Sequence, residues 1–269
     1  MVRAIERIEK DINSLKEEGL AIAEKLTTAY TSYLGNLGQV LQKQLILGSY
    51  YICTQGYAEE FLNLSLNQRE NLQQSIRKLG QKASENLMKY IEPPEIKQTD
   101  IIDEKTEKPA HLLDFSNPLN IIKGERQVEK GIQETLKKLS QETNILLQKS
   151  GVLPKKLPEP VLAAATLAAS ESSNDMMPSP PNIVNLVIQV SNKEDEDDQE
   201  EESNLTQIIA IHLRLGEIEF ADNMLSSQRK EIRNIVSQLH QLGRSYQKMQ
   251  RELKIAMAEA AWRSSWHED

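Results

Sequence analysis

The chain of 269 residues carries a formal net charge of −8, and only 4% of its residues are aromatic. A compact globule of this size needs more large apolar side chains, so the composition argues against a thick core and favours long helices with narrow apolar stripes. The acidic excess lies in one run, residues 194–202, and removing that run leaves 32 acidic and 32 basic residues. We expect this acidic tract to be a solvated linker because its like charges repel one another.

The pattern of apolar residues also argues against integral membrane insertion. No run of about 18 apolar residues is present, and the charged N-terminal segment does not look like a signal peptide. The single cysteine, Cys53, cannot form an internal disulfide, which suits a reducing compartment. We therefore expect a cytoplasmic protein.

The first predicted helix has apolar residues at alternating spacings of three and four, as in a coiled coil. After Leu26 this stripe shifts by one residue, a change that locally alters the supercoil. Glycines in this region lower helix stability but allow a neighbouring backbone to approach closely; they are Gly35, Gly38 and Gly48.

Residues 45–57, LILGSYYICTQGY, contain no charged side chain. We interpret them as a widened apolar arc where a second helix packs, and the alternatives are a partner-binding patch and a chemical role for Cys53. A membrane dip is disfavoured because the surrounding segment is rich in Thr, Ser, Gln and Asn. Tyr50 and Tyr51 are the candidate partner-binding residues of this stretch.

The middle of the chain contains two further predicted helices between linkers. Ser65 and Gln68 form the capping-box pattern of a second helix, and Pro118 suits the first turn of a third. We predict an N-terminal helical hairpin, a linker, a helix, a Pro/Ser-rich and acidic linker, and C-terminal helices. Their ranges are 1–92, 93–114, 115–151, 152–204 and 205–269. A short helix over residues 161–169 fits the second linker.

Residues 183–220 fit two structures. NIVNLVIQV is rich in β-branched residues and IIAIHLRL alternates, so a β-hairpin with a bulge is one interpretation. The other is a helix over residues 205–220, with Ile208, Ile211, Leu215 and Ile218 on one face. We prefer the helix because few β-branched residues follow Ile211.

The last predicted helix has the longest unbroken stripe, from Leu225 to Ala260, and it is rich in Lys and Arg. Its basic face is interpreted as solvated, with docking of an anion as the alternative; few aromatic residues interleave the cations, which argues against nucleic acid. Trp262 and Trp266 lie four residues apart and so share one helix face. Both are candidate partner-binding residues because Trp is enriched at interface hot spots.

No motif in the sequence predicts catalysis or a cofactor. The four histidines lie far apart, and the sequence has no P-loop, no His-Glu-x-x-His and no Cys pair. We therefore predict no catalytic, cofactor-binding or metal-binding residues, and no enzyme.

Three segments resemble a family of uncharacterised helical, coiled-coil proteins from cyanobacteria. They are QLILGSYYICTQGYAEEFLNLSLNQRENLQ, IAIHLRLGEIEFAD and RELKIAMAEAAWRSSWHED. The resemblance implies a bacterial, cytoplasmic setting and carries over no functional residues.

These observations together predict an all-α protein, an elongated helical bundle or antiparallel coiled coil with long N- and C-terminal helices and disordered linkers. Narrow apolar stripes are not stable alone, so each helix needs a partner within the chain or in a second copy, which leaves a homodimer open. We expect a non-enzymatic scaffold or adaptor for protein–protein interaction. The alternatives are a peripheral membrane-associated protein and a regulatory subunit of an enzyme.

Overall fold

The computed structural model describes residues 5–92, 117–154, 180–190 and 204–265. These residues form helices, one π turn and one β-hairpin. In chain order the elements are α1 (Ile5–Tyr51), the π turn (Ile52–Gly56), α2 (Ala58–Leu62), α3 (Leu66–Met88), α4 (Pro118–Ser150), β1 (Ile183–Val190), β2 (Asn204–Ile211), α5 (Leu215–Ala221) and α6 (Asn223–Ser265).

The predicted all-α class is confirmed, because every described element except the hairpin and the π turn is an α-helix. The long N- and C-terminal helices are α1, with 47 residues, and α6, with 43. Three predicted segments lie outside the described residues. They are the linker at 93–114, the short helix at 161–169 and the acidic tract at 194–202. Within the described ranges, no helix is long and apolar enough to cross a membrane.

Two predictions for residues 183–220 need correction. Ile183–Val190 is a strand and not linker, and Asn204–Ile211 is its antiparallel partner and not a helix. The pairing runs from Ile183↔Ile211 to Val190↔Asn204 without a bulge. Two short runs rich in β-branched residues satisfy each other's backbone groups, and this pairing outweighs the helical spacing. The helix forms only after Arg214, as α5.

Helix α3 begins at the predicted capping box. The Ser65 N–H donates to Oε1 of Gln68 at 2.8 Å, and the Gln68 N–H donates to Oγ of Ser65 at 3.4 Å. Four residues of the predicted stripe are buried: Leu72, Ile76, Ala83 and Leu87. The helix start and its buried face were therefore both predictable from the sequence.

The chain divides into two compact units. The first comprises Met1–Asn36, Leu87–Ile132 and Met224–Asp269, and the second comprises Leu37–Asn86 and Gln133–Asn223. In the first unit, α1 and α6 run in opposite directions. A Cβ on Gly19 would lie 3.6 Å from the Leu242 side chain, and the amide of Asn36 donates to Gln228 at 3.0 Å. Ile8 and Ile12 share a buried cluster with residues of α6: Tyr246 and Ala256.

A buried polar network joins three helices of the first unit. Arg229 of α6 is 7% exposed, and its guanidinium donates to Glu129 of α4 at 2.5 Å and to the Tyr33 hydroxyl of α1 at 2.8 Å. The guanidinium carbon also lies 4.6 Å from the centroid of the Tyr33 ring. Tyr30 donates to the same Glu129 carboxylate at 2.5 Å. A buried charge requires such partners, so the network fixes the three helices in register.

Burial and the Glu129 carboxylate raise the pKa of Tyr30 far above its usual value, so its hydroxyl remains a donor at neutral pH. Glu125 lies at the edge of the network, 3.5 Å from the Tyr30 hydroxyl. Burial first, and then the Glu129 carboxylate, raise the pKa of Glu125. The folded chain therefore holds the Glu125 proton to a higher pH than the unfolded chain does.

This shift predicts a pH-dependent effect of Glu125→Gln on stability. Charging Glu125 destabilises the folded state as the pH rises from the ordinary value of 4.5 through the raised pKa. We expect the variant to have a larger free energy of unfolding than the wild type at pH 7, and this advantage to vanish as the pH falls below the ordinary value. Urea unfolding across this range measures it, with the exposed Glu70→Gln as control. An advantage that is equal at all pH values would contradict the assignment.

The second unit packs α3 closely against the C-terminal part of α1. Gly38 lies so near Ser84 that an added Cβ would stand 2.9 Å from the Ser84 Cβ and 3.3 Å from its Cα. Gly80 likewise faces α1 at Gln42. The close approach expected from the glycines of α1 is thus found at Gly38. It is not found at Gly35, where an added Cβ meets nothing within 4 Å.

The outer edge of β2 is satisfied by side chains rather than by a third strand. Asn144 of α4 donates to the Ile211 carbonyl and accepts from the Ile211 N–H, each at 2.9 Å. The Tyr57 hydroxyl accepts from the Ile209 N–H at 3.0 Å, and Ser140 accepts from the Leu213 N–H at 3.0 Å. An open strand edge invites pairing with another chain, and these contacts cover the end of this edge at Ile209 and Ile211.

Gly38 and Gly35 form a matched pair for mutation because they lie one turn apart on α1. Gly38→Ala should lower the free energy of unfolding, since the new Cβ forces Ser84 and its backbone away. Gly35→Ala should raise it by up to about 1 kcal/mol, because Ala favours the helix and has free space. Chemical denaturation measures both values. Equal effects of the same sign would show that α1 and α3 are not in close contact at Gly38.

Candidate partner-binding site

The end of α1 carries one inward and one outward face within residues 45–57. Leu45, Ser49 and Ile52 are buried, whereas Ile46 and Tyr50 are 44% and 64% exposed. These outward residues are four apart and so lie above one another on the helix surface. Of the residues expected in the widened packing arc, Leu45 is buried and Tyr51 is half-buried, whereas Leu47 and Tyr50 are exposed. An apolar ridge therefore stays exposed on this part of α1.

The helix then widens and stops at Tyr57. The Tyr57 N–H donates to the Ile52 carbonyl at 2.8 Å, which closes the π turn. Because the Tyr57 hydroxyl accepts from Ile209, the turn is also fixed to the hairpin of the same unit. Burial raises the pKa of Tyr57, against the opposing effect of that hydrogen bond. The turn thus places Cys53 and Thr54 in a fixed position beside α1.

Arg69 positions the short helix α2. Its guanidinium donates to the carbonyls of Phe61, at 3.1 Å, and Leu62, at 2.5 Å, and lies 5.4 Å from the centroid of the Phe61 ring. The last carbonyls of a helix lack hydrogen-bond partners within the helix. Arg69 supplies donors to two of these carbonyls at the end of α2. Arg69 thereby holds the Phe61 side chain towards α1 and α3.

A cleft of about 280 Å³ lies between α1, the π turn, α2 and α3. Its walls are mostly apolar, with a few polar side chains. The lining residues are Ile46, Ser49, Tyr50, Cys53, Thr54, Phe61, Leu72, Gln73, Ile76 and Arg77. Apolar walls with a few placed polar groups are typical of binding sites.

Ser49 supplies an unusual feature of this cleft. It is 4% exposed, and its hydroxyl has no hydrogen-bond partner among the described residues. Leaving a buried hydroxyl without a partner costs about 1–3 kcal/mol, and such groups are rare in proteins. The hydroxyl is enclosed by the protein itself, so it does not form part of the open surface of the cleft.

Cys53 also lines the cleft but is not an activated nucleophile. Burial raises the pKa of its thiol to about 11. At neutral pH the thiol therefore remains protonated, and the thiolate is the reactive form. Of the two alternatives for residues 45–57, a partner-binding patch fits the geometry better than a chemical role for Cys53.

The predicted partner-binding residues are found in different surroundings. Tyr50 forms part of the cleft, whereas Tyr51 is half-buried and does not line it. Trp262 is 66% exposed near the end of α6, and Trp266 lies outside the described residues. Tyr50 belongs to the second unit and Trp262 to the first.

Several cleft residues were not predicted as site residues. Leu72 and Ile76 were assigned only to a packing stripe, and Ser49 and Phe61 were not assigned a role. One signal in the sequence pointed to this site. The uncharged stretch at residues 45–57 is followed directly by the short acidic segment of α2 and by the capping box of Ser65 and Gln68. Sequence spacing could not show that Arg69 turns α2 back onto α3.

Metal-binding geometry is not found in the described ranges, where no group of three or more His, Cys, Asp or Glu could hold an ion. His212 and His240 belong to different units, and His111 and His267 lie outside the described residues.

Comparison of the chain with protein-family models, with curated proteins and with solved structures gives no match. The resemblance to helical cyanobacterial proteins therefore stays a prediction, and function is inferred from the geometry of the cleft.

Proposed function

We propose that the protein is a non-enzymatic coiled-coil scaffold or adaptor that binds a helix of another protein in the cleft of its second unit. The observation that carries this proposal is a mostly apolar cleft whose edge exposes Ile46 and Tyr50. We place this activity in the bacterial cytoplasm, as the family resemblance implies.

The size of the cleft favours a protein side chain over a small-molecule ligand. Small-molecule pockets have volumes of about 300–1,000 Å³, and this cleft lies just below that range. It has room for one or two large apolar side chains. Hot-spot residues of protein interfaces occupy pockets of this kind.

The ridge beside the cleft favours a helix as the occupant. Ile46, Tyr50 and Thr54 follow one another at intervals of four residues, and such rows pack into the grooves of a neighbouring helix. An amphipathic helix could lie along this row and insert one apolar side chain beside Leu72 and Ile76. Polar groups on the same helix would then meet Gln73 and Arg77 at the exposed edge of the cleft.

Photo-crosslinking tests this proposal directly. A benzophenone-bearing phenylalanine analogue at position 50, introduced in the native cells, should cross-link one specific protein. The same analogue at Phe220 is the matched control, because Phe220 is 90% exposed and does not line the cleft. Identical products from both positions, or adducts with lipid only, would contradict the proposal. A cross-link to a second copy of the chain would assign the cleft to a homodimer instead.

The identified partner allows a quantitative prediction. Tyr50→Ala should weaken its binding by at least about tenfold, the effect of a modest hot spot, whereas Phe220→Ala should have little effect. Cys53 is the only cysteine in the sequence, so its alkylation at mildly alkaline pH reports directly on the cleft. The bound partner should slow this alkylation. Unchanged alkylation in the complex would place the partner elsewhere.

A further inference from the structure

A second surface, in the first unit, is a groove with a different chemistry. It lies between the N-terminal turns of α4 and the middle of α6 and has a volume of about 730 Å³. Fourteen residues line it, of which five are Lys or Arg and none is Asp or Glu. The five are Lys123, Arg126, Arg244, Arg251 and Lys254. We call this surface the basic groove.

Helix α4 separates its charges between two faces. Glu125 and Glu129 face Tyr30 of α1, whereas Lys123 and Arg126 line the basic groove. Glu129 is therefore engaged in the buried network, whereas Glu125 also interacts electrostatically with Arg126, one of the five cations of the groove. Asn117 caps α4 by accepting from the N–H groups of Leu119 and Asn120, so these N–H groups are already hydrogen-bonded. The positive charge of the groove therefore comes from its Lys and Arg side chains.

The five cations of the basic groove are exposed to solvent. Lys123, Arg244, Arg251 and Lys254 take part in none of the ion pairs between described residues. Like charges held close together repel one another, and an anionic ligand would relieve this repulsion. The groove therefore has the charge pattern of an anion-binding surface.

The length of the groove suits a peptide segment. Its lining residues on α6 run from His240 to Lys254, about 21 Å of helix at 1.5 Å per residue. An extended segment of about six residues covers that length. Arg guanidinium groups form paired hydrogen bonds with carboxylates, and Gln247 and Gln250 offer further donors and acceptors to a backbone.

We propose that the basic groove binds an acidic segment of a partner protein, independently of the cleft in the second unit. The groove is lined by five Lys or Arg side chains and by no Asp or Glu, and this positive charge favours an acidic occupant. The two surfaces would then allow the protein to hold two partners of different chemistry, one through an apolar helix and one through an acidic segment.

Two other classes of polyanion fit less well. Single-stranded nucleic acid needs aromatic surfaces on which bases stack, and the groove contains one aromatic residue, the buried Tyr246. A membrane presents a flat layer of headgroups, which cannot reach the floor of a groove.

Fluorescence anisotropy with a labelled oligoglutamate peptide tests the proposal on the full chain. The wild type should bind this peptide, binding should weaken as salt rises, and a peptide with Gln in place of Glu should not bind. The double variant Arg244→Gln/Arg251→Gln should bind about tenfold more weakly. The matched control is Lys230→Gln/Arg233→Gln, which removes two exposed cations of α6 outside the groove. Tyr50→Ala should leave peptide binding unchanged.

Four outcomes would overturn the proposal. One is no binding by the wild type at low salt, and another is equal loss in the groove variant and its control. The third is tighter binding of a single-stranded oligonucleotide or of anionic vesicles than of the peptide. The fourth is binding only after deletion of residues 194–202, because the chain's own acidic tract would then be the occupant. Circular dichroism checks that both variants keep their helix content, so that a loss of binding is not a loss of fold.

Discussion

The buried charge of Arg229 is the constraint on which the first unit depends. A guanidinium removed from water is tolerated only if carboxylate and hydroxyl groups replace its hydration. Glu129 and the Tyr33 hydroxyl do so from two other helices, and Tyr30 completes the set through the same carboxylate. Apolar stripes alone would let helices slide by a turn, whereas these directional bonds specify one register. The same register directs Glu125 and Glu129 of α4 towards Tyr30 and leaves Lys123 and Arg126 along the groove.

The sequence predicted those parts of the fold that depend on spacing along one helix. The apolar stripes of α1, α3, α4 and α6 were identified because burial recurs every three or four residues, and the start of α3 because Ser65 and Gln68 are neighbours in the chain. The hairpin was one of two interpretations, and the helix was preferred over it because a short apolar run fits a strand and a helix equally well. The end of β2 is covered by Asn144 and Tyr57, and no local pattern relates these residues to β2.

The candidate surfaces were predicted less completely, for a related reason. Arg229 looks like one more cation of a basic helix until Glu129 and Tyr33 are seen beside it. Tyr50 was identified from its uncharged surroundings, but the walls of its cleft come from α2 and α3, which Arg69 holds in place. The basic face of α6 was predicted, whereas the groove that it forms with α4 was not. Each unit thus carries one candidate surface, apolar in the second and cationic in the first.

A double-mutant cycle between Arg229 and Glu129 tests the central role of the buried network most directly. Urea unfolding of Arg229→Met, Glu129→Gln and the double variant gives the coupling free energy between the two side chains. We expect Glu129→Gln to lose about 3 kcal/mol or more, since it removes the carboxylate that compensates the buried Arg229 charge, and Arg229→Met to lose less, since Glu129 is only half-buried. The double variant should recover part of that loss, with a coupling energy of about 1–3 kcal/mol. Additive losses, with a coupling energy below about 0.5 kcal/mol, would contradict the account.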